Sequence, residues 1–501
     1  MKIIERCSIA VLLLCLVACQ NWLDVEPKTE MKSDVMFESE SGFKDAIIGI
    51  YMLMGDRALY GRELTTGFMD VLGQQFSLDK TYSSYARIKD YEYDKASSII
   101  ANIWNQMYNI IANVNNIIEN TEAKREVLHP TNYQIIRGEA IGLRAFLHFE
   151  LLKMFGWGDL EKKPENWDKI SIPYVFAYDK MTTRQSTVRE LLEYIHKDLA
   201  EAESLLLHYD PWSVAHRADG YELPNTDKFY TNRMTRFNYW AVVATQARVY
   251  LWEGDKEKAL VCLTDFLDKR SQITDLRWVP DQSMDIKNGE ANLDLTFSTE
   301  HLFRLDVYQL FENLKDLIDP KYNSPNPNNN LFFHEFKYVN QLFEISEGIG
   351  NSDYRYTRLY TEPDYSNRKF YEVSNYKYPN MMPLIKMSEM YYMAAECLNA
   401  RGQRKKAIEL LNEVRKSRGI AESNNLPLTL DQEKVTKEIE KEWRKEFLGE
   451  GQLFYFYKRL GYTQIPNTTV PGSDKVYVLP LPEDEINLGG REQEITDPKE
   501  E

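Results

Sequence analysis

The sequence has little of the material from which most catalytic and metal-binding sites are built. Its 501 residues include 5 cysteines and 7 histidines, and the histidines show no metal-ligand spacing. The chain contains no Gly-x-Ser-x-Gly elbow, no Gly-x-x-x-x-Gly-Lys-Ser/Thr loop, no Gly-x-Gly-x-x-Gly fingerprint and no His-Glu-x-x-His motif. With 77 acidic residues, carboxylate pairs like those of glycosidases arise by chance and do not support a hydrolase. We therefore expect no metal, no cofactor and no catalysis.

The sequence also has fewer basic than acidic residues and few long apolar runs. The chain has 61 basic against 77 acidic residues, so its formal net charge of −16 disfavours binding to nucleic acid. After the N-terminal 18 residues, no window reaches 18 continuous apolar residues, which excludes a transmembrane helix in this part of the sequence. An apolar fraction of 43% with 28% charged residues is typical of a soluble globular protein with a large core.

The N-terminus has the pattern of a bacterial lipoprotein signal peptide. Lys2 and Arg6 precede an apolar run over residues 9–18, and the run ends in Leu16-Val17-Ala18-Cys19. We expect cleavage before Cys19 and attachment of lipid to its thiol; ordinary signal cleavage is the alternative. Several acyl chains, each contributing about 0.8 kcal/mol per buried CH₂, would tether the mature chain to a membrane permanently.

Two further cysteines remain in the mature chain once Cys19 carries lipid. Cys262 and Cys397 both fall in predicted helices beside apolar neighbours. Buried free thiols are favoured there over a disulfide, and two cysteines are too few for a structural zinc site.

Residues 382–420 predict two helices packed antiparallel across a turn. Apolar residues recur there every three or four positions, with Pro383 suited to a helix start and Gly402 to a stop. The same offsets occur upstream, where Ala247, Tyr250, Gly254 and Ala259 match Ala395, Leu398, Gly402 and Ala407. Alanines allow two helices to approach closely, and the glycine allows a tight reversal. This repetition is typical of tetratricopeptide-type helical hairpins.

The remaining pattern predicts more helices and one irregular region. Helical spacing is found over residues 99–122, 133–157, 188–207, 238–254, 256–267 and 435–458. Residues 271–380 break this spacing, with a short alternating run at 302–307 and a turn-rich stretch at 320–330. The segment 476–482 is apolar and is expected to dock on the core. We expect a signal peptide over 1–18, an N-terminal region over 19–270, an insertion over 271–380 and a C-terminal region over 381–501, with 19–501 forming one compact unit.

The predicted helix at 99–122 carries a second stripe, made of asparagines at helical spacing. Its members are Asn102, Asn105, Asn109, Asn113, Asn116 and Asn120. We interpret this stripe as a solvent-facing or inter-helix polar surface in preference to a ligand groove.

Several short motifs follow one another in order from the N-terminus to the tail. They are Trp22-Leu23-Asp24-Val25-Glu26-Pro27, then Trp104, Tyr108 and Asn113, Arg137-Gly138-Glu139-Ala140, Leu143-Arg144-Ala145, Phe155-Gly156, Asp353-Tyr354-Arg355, residues 383–419 and Leu479-Pro480-Leu481-Pro482. Together they resemble the SusD/RagB family of surface lipoproteins from Bacteroidetes. Lys386 stands where the family has arginine. Leu453 and Phe456 stand where it has arginine and aspartate, which predicts apolar packing in place of an internal charge pair.

The resemblance implies both an architecture and a role. The fold would be mainly α, with tetratricopeptide-type hairpins forming a scaffold and a loop-rich, partly β insertion carrying the binding face. The role would be that of a non-catalytic lipoprotein, anchored in the outer membrane and facing the cell exterior, that binds oligosaccharides and passes them to a SusC-like TonB-dependent transporter. The alternatives are a RagB-like peptide-binding member, an extracytoplasmic glycan hydrolase and a pure protein scaffold.

The resemblance locates the binding region by segment and not by motif. Irregular loops on a rigid scaffold commonly carry binding residues. We therefore expect Tyr82 and Tyr85 in the early loop, and Trp278, Tyr322 and Asn323 in the insertion, to contact the ligand. Aromatic rings stack on the apolar faces of sugars, and amides bind hydroxyl groups directly or through water.

Overall fold

The structure is a computed structural model that describes residues 33–322, 330–362, 365–493 and 495, and it is mainly helical. The helices before the insertion are α1 Ser33–Met36, α2 Glu40–Met54, α3 Phe68–Leu72, α4 Ala86–Lys89, α5 Ser97–Ala123, α6 Pro130–Phe155, α7 Val188–Leu207, α8 Tyr239–Glu253 and α9 Lys256–Lys269. The later helices are α10 Leu310–Ile318, α11 Phe336–Phe343, α12 Tyr354–Thr357, α13 Met387–Ala400, α14 Arg404–Ser417, α15 Gln432–Glu446, α16 Leu453–Leu460, α17 Asp474–Tyr477 and α18 Glu483–Asn487.

The strands of the described residues form three antiparallel pairs. They are β1 Ile170–Pro173 with β2 Gln185–Thr187, β3 His301–Asp306 with β6 Met381–Lys386, and β4 Tyr360–Thr361 with β5 Ser366–Asn367. In the β3–β6 pair, His301 lies opposite Lys386 and Asp306 opposite Met381. This ribbon brings the two ends of residues 307–380 together, so that this part of the irregular segment extends from one point on the scaffold.

The two predicted hairpins are confirmed. Helix α8 packs on α9, α13 packs on α14, and α9 also packs on α13. Gly254 and Gly402 occupy the turns with φ of 84° and 73°, a left-handed conformation that favours glycine. The predicted small residues, Ala247, Ala259, Ala395 and Ala407, are all fully buried. Because alanine side chains are small, these helices can pack close to one another.

The prediction that Pro383 begins a helix is wrong. Pro383 lies in β6, opposite Arg304 of β3, and α13 begins at Met387. A two-stranded ribbon leaves one side of each strand without a ladder partner, so a residue that lacks an N–H is tolerated there.

The prediction of one continuous helix over 435–458 is also wrong. Helix α15 ends at Glu446 and α16 begins at Leu453, with Gly449 and Gly451 between them at φ of 80° and 68°. The carboxylate of Asp70 accepts hydrogen bonds from both glycine N–H groups, at 2.8 and 3.2 Å. A distant acidic side chain therefore stabilises a break that helical periodicity does not reveal.

The insertion contains more helix than its sequence pattern suggests. Helices α10 and α11 fall inside the segment that was expected to lack helical spacing. They are 9 and 8 residues long, shorter than the window over which periodicity is reliable. The expectation of a partly β insertion is confirmed by β3, β4 and β5.

The main hydrophobic core extends from Phe37 to Leu481. The tail docks on it as predicted, because Val478 and Leu479 are buried and the Leu479 N–H donates to the Met154 carbonyl at 3.1 Å. Lys458 is also buried, and its ammonium group donates to the carbonyl oxygens of Lys153 and Gly156, both at 2.7 Å. These bonds satisfy carbonyl groups left free where α6 ends.

The two remaining cysteines are free, as predicted; Cys397 is buried and Cys262 is half-buried. Burial raises the pKa of each thiol to about 12. Within the described ranges, every helix is too short or too polar to cross a lipid bilayer.

Candidate functional site

The early tyrosine-rich loop and the insertion lie against each other. Ser77 and Phe333 form an isolated antiparallel bridge, in which the Ser77 N–H donates to the Phe333 carbonyl at 2.8 Å. The Ser84 hydroxyl and N–H both donate to the amide oxygen of Asn330 at 3.1 Å. Segments about 250 positions apart in the sequence therefore form one continuous surface.

Arg62 ties this surface to α10. Its guanidinium donates two bonds to the Asp316 carboxylate, at 2.5 and 2.9 Å, and one to the Asn313 carbonyl at 2.8 Å. The same group donates to the Tyr85 hydroxyl at 3.2 Å, and that hydroxyl donates to Glu63 at 2.9 Å. A bidentate arginine–carboxylate pair fixes orientation as well as distance, so α10 is held in one position relative to the early loop.

An aromatic row runs along the outer side of α10. We define it as Tyr322, Phe311 and Tyr371, with ring centroids 6.0 Å apart in the first pair and 5.5 Å in the second. Tyr322 is 51% exposed. The Lys315 ammonium lies 4.6 Å from the Tyr322 ring, and the Arg368 guanidinium lies 5.2 Å from the Tyr371 ring. Aromatic faces flanked by hydrogen-bond donors are suited to a ligand with both apolar faces and hydroxyl groups.

A narrow crevice of about 10 Å³, room for about one water molecule, continues from the row. Phe311, Tyr371, Tyr376 and Tyr378 contribute to its wall. Burial and a hydrogen bond to Asp319 raise the pKa of Tyr371 to about 12. The hydroxyl of Tyr371 is therefore protonated at neutral pH and donates its one proton to Asp319, which leaves its oxygen free to accept a hydrogen bond.

The five residues expected to contact ligand do not share one environment. Tyr82 is 40% exposed on the early loop, and Tyr322 is exposed in the row. Tyr85 is only 3% exposed, with its ring against Phe332 and its hydroxyl bound within the Arg62 cluster, so it offers no free ring face in this structure. Trp278 lies on the scaffold, where its ring packs 5.0 Å from Tyr391. Asn323 lies outside the described residues, as does the expected lipidation site at Cys19.

Sequence reasoning missed Phe311 and Tyr371, the other two members of the row. Phe311 lies in a helix that was not predicted, and Tyr371 lies in a stretch without regular structure. The usable signal was composition, because residues 365–378 contain four tyrosines. No motif marks which of them face solvent.

A buried charge network holds the insertion on the C-terminal helices. At its centre, Glu446 accepts hydrogen bonds from Arg418 at 2.7 and 3.0 Å, from Lys386 at 3.1 Å and from Ser388 at 3.0 Å. Burial by itself would raise the pKa of Glu446, but the charges of Arg418 and Lys386 outweigh it and hold this pKa well below its usual range. Glu446 is therefore ionised at neutral pH.

The network connects two points within the insertion, Glu300 and Asp353, to the C-terminal helices. Arg418 also donates to both carboxylate oxygens of Glu300, at 2.8 and 2.7 Å, and Arg355 bridges Asp353 and Glu442 at 2.8 and 2.7 Å. Lys386, which stands where the sequence resemblance places an arginine, donates to the carboxylates of Glu446 at 3.1 Å and Glu450 at 2.8 Å. Elsewhere Leu453 and Phe456 are buried, with Phe456 stacked 5.0 Å from Trp443.

The described residues contain no group of three or more His, Cys, Asp or Glu side chains arranged to hold a metal ion. The surface can supply aromatic faces, hydroxyl groups and charged hydrogen-bond donors. That set is suited to non-covalent recognition of a polar ligand.

The chain is similar to known proteins over most of its length. Residues 21–217 match a family model described as "Starch-binding associating with outer membrane", and residues 335–465 match one described as "SusD family". A SusD-like protein from Formosa agariphila is 24% identical over 516 residues, covering 90% of each chain.

Solved structures show the same fold. A SusD superfamily protein from Bacteroides thetaiotaomicron has a TM-score of 0.67 at 19% identity, covering 92% of this chain and 100% of that one. A SusD-like carbohydrate binding protein from Bacteroides vulgatus has a TM-score of 0.65 at 17% identity, covering 89% and 96%. Another neighbour from Bacteroides vulgatus, with a TM-score of 0.62 at 19% identity, is described as a sugar binding protein; it covers 90% of this chain and 96% of its own.

Proposed function

Because the chain belongs to the SusD/RagB family, we propose that it is a non-catalytic, lipid-anchored protein of the outer membrane that binds oligosaccharides and delivers them to a SusC-like TonB-dependent transporter. The observation that supports glycan binding is the aromatic row. Tyr322 follows α10 and presents an exposed ring beside Lys315 of that helix, which Arg62 holds in place. The ring would stack on the apolar face of a sugar, and neighbouring donors would bind its hydroxyl groups.

Weak binding is compatible with such a role. A dissociation constant near 1 mM requires about 4 kcal/mol, which one or two stacked rings and a few hydrogen bonds can supply. Fast release follows from modest affinity and would favour transfer to the transporter. The surface does not need to close around its ligand.

The membrane attachment rests on the signal sequence that ends at Cys19. Acylation of this thiol would place the protein at the membrane surface without a spanning segment. In this arrangement the helical hairpins provide the rigid side that faces the transporter, while the insertion and the early loop carry the ligand side. Metabolic labelling with a fatty-acid analogue tests the anchor, since Cys19→Ala should abolish incorporation.

Calorimetric titration of the detergent-solubilised mature protein against oligosaccharide and peptide panels tests ligand binding. Tyr322→Ala and Tyr82→Ala should each weaken oligosaccharide binding by about 1–2 kcal/mol, or five- to thirtyfold. Tyr178→Ala is the matched control, because Tyr178 is 49% exposed and lies outside the row.

Three results would contradict the proposal. Binding of peptides in place of glycans would indicate a peptide-binding member of the family. Release of reducing ends from polysaccharide would indicate a hydrolase. Co-purification of protein partners without any small ligand would indicate a scaffold. Delivery is tested separately, since affinity purification from outer membranes should recover a TonB-dependent barrel in stoichiometric amount.

A further inference from the structure

The outward face of α5 has an unusual composition. Residues 97–118 contain no charged side chain, although 28% of the whole chain is charged. The inward face is apolar, with Ile103, Met107 and Ile110 fully buried. The outward positions Asn102, Asn105 and Asn109 are exposed. We call these three residues the asparagine face. Solvation alone would be served equally well by lysine or glutamate, which have higher helix propensity than asparagine.

The asparagine face offers many hydrogen-bonding groups that the protein leaves free. Asn102 and Asn105 make no hydrogen bond to any other described part of the chain through their side chains, so each presents two amide donors and one acceptor. Asn113 continues the line, with its amide donating to the Asn109 carbonyl at 2.8 Å. Positions three and four apart on a helix lie about 5–6 Å from one another, so the amides form a regular row.

A cleft of about 490 Å³ opens at the start of this helix. Its walls include Tyr93, Ser98 and Ala101 on one side and Pro480 and Pro482 of the tail on the other. Asp94, Glu483 and Asp484 also contribute to the wall and make this end acidic. We call it the proline cleft. Ser98 and Ala101 lie one turn from Asn102 and Asn105, so the cleft and the asparagine face form a continuous surface.

We propose that the asparagine face and the proline cleft together bind a segment of neutral polysaccharide, at a site that shares no residue with the aromatic row. Amide groups can donate to and accept from the hydroxyl groups that recur along such a polymer. The carboxylates of the cleft accept hydrogen bonds from hydroxyls but repel anionic polymers, and they would repel a second copy of this acidic chain. The inference rests on the proposed function only in taking the ligand to be a glycan.

The test uses the full-length lipoprotein and the triple variant Asn102→Ala, Asn105→Ala, Asn109→Ala. Alanine has higher helix propensity than asparagine, and these side chains are exposed, so the variant should fold. Affinity electrophoresis in gels containing a panel of neutral polysaccharides should show about tenfold weaker retardation, since each lost hydrogen bond contributes modestly. Binding of short oligosaccharides at the aromatic row should not change. Asn425→Ala, at another exposed position, is the control.

The outcomes separate this inference from the proposed function. If the triple variant is retarded like wild type while Tyr322→Ala weakens oligosaccharide binding, the second site does not exist and the proposed function stands. If only the triple variant weakens binding, the second site stands and the aromatic row loses its role. Tighter binding to polyuronates than to neutral polymers overturns the ligand class. If the triple variant keeps glycan binding but changes its oligomeric state or loses a protein partner, the asparagine face is a protein interface and the inference is wrong. If the wild-type protein binds no glycan at all, both proposals are overturned.

Discussion

Replacing Glu446 by glutamine should destabilise the protein far more than replacing an equivalent surface glutamate. The fully buried part of the network around Glu446 contains six cations, Arg355, Lys369, Lys386, Arg415, Arg418 and Lys445, against five carboxylates, Glu300, Asp353, Glu442, Glu446 and Glu450. The half-buried Glu344 adds a sixth carboxylate at its edge, 3.7 Å from Lys445. Glutamine keeps the shape of the side chain at position 446 and removes its charge, so six buried cations would then face four buried carboxylates and Glu344.

The magnitude follows from the burial of this pair. The side chains of Glu446 and Arg418 are both 0% exposed, so solvent does not screen the loss. Removing one partner of a buried ion pair costs about 3–5 kcal/mol, because the remaining charge stays desolvated without compensation. The corresponding exposed pair is Glu433 with Lys437, at 2.7 Å, with side chains 79% and 68% exposed. For Glu433→Gln we expect a change within about 0.5 kcal/mol.

Unfolding in guanidinium chloride, followed by tryptophan fluorescence, measures both variants against wild type. Glu446→Gln should shift the midpoint to lower denaturant with an unchanged slope, and Glu433→Gln should leave it in place. Equal midpoints for the two variants would refute the reasoning, because the network would then contribute no more than a surface pair.

Three further predictions concern stability and thiol chemistry. Burial lowers the pKa of His148 to about 3 in the folded protein, whereas the unfolded chain binds a proton at this imidazole below about pH 6.5. The free energy of unfolding should therefore fall by about 1.4 kcal/mol per pH unit as the pH is lowered from about 6.5 to 3. His148→Gln should remove this component of the pH dependence. Gly451→Ala should destabilise the protein by more than about 2 kcal/mol, because φ is 68° and the added Cβ would lie 2.2 Å from the Leu64 carbonyl oxygen. Gly49→Ala in α2 should stabilise it by about 0.5–1 kcal/mol, because the added Cβ would have no neighbour within 4 Å. Thermal melts of the two variants measure both changes. Cys262 and Cys397, with pKa values of about 12, should resist Ellman's reagent at pH 8 in the native protein and react fully in denaturant; rapid native reaction would contradict their environment.

Much of the helical scaffold could be predicted because its signals are local. Apolar spacing located α5, α7 and both hairpins to within a few residues, and Gly254 and Gly402 marked the turns. The prediction failed where local pattern and distant contacts disagree. The break between α15 and α16 depends on Asp70, which lies almost four hundred positions away in the sequence.

Which residues of the candidate site face solvent could not be predicted one by one from the sequence. Tyr82 and Tyr85 are three positions apart in the same loop, yet one is exposed and the other buried. The difference comes from Phe332 and Arg62, which close over Tyr85 and leave Tyr82 in solvent. Phe311 and Tyr371 joined the row only through the packing of the insertion.

By itself, the sequence determined the helical class of the protein, its repeated hairpins and the family motifs, since each of these depends on neighbours within a few turns of the chain. Tertiary structure decided which tyrosines face solvent, where the last long helix breaks and which charges meet at Glu446. Exposure and ion pairing are properties of surfaces brought together from distant segments, and no local pattern specifies which segments will meet.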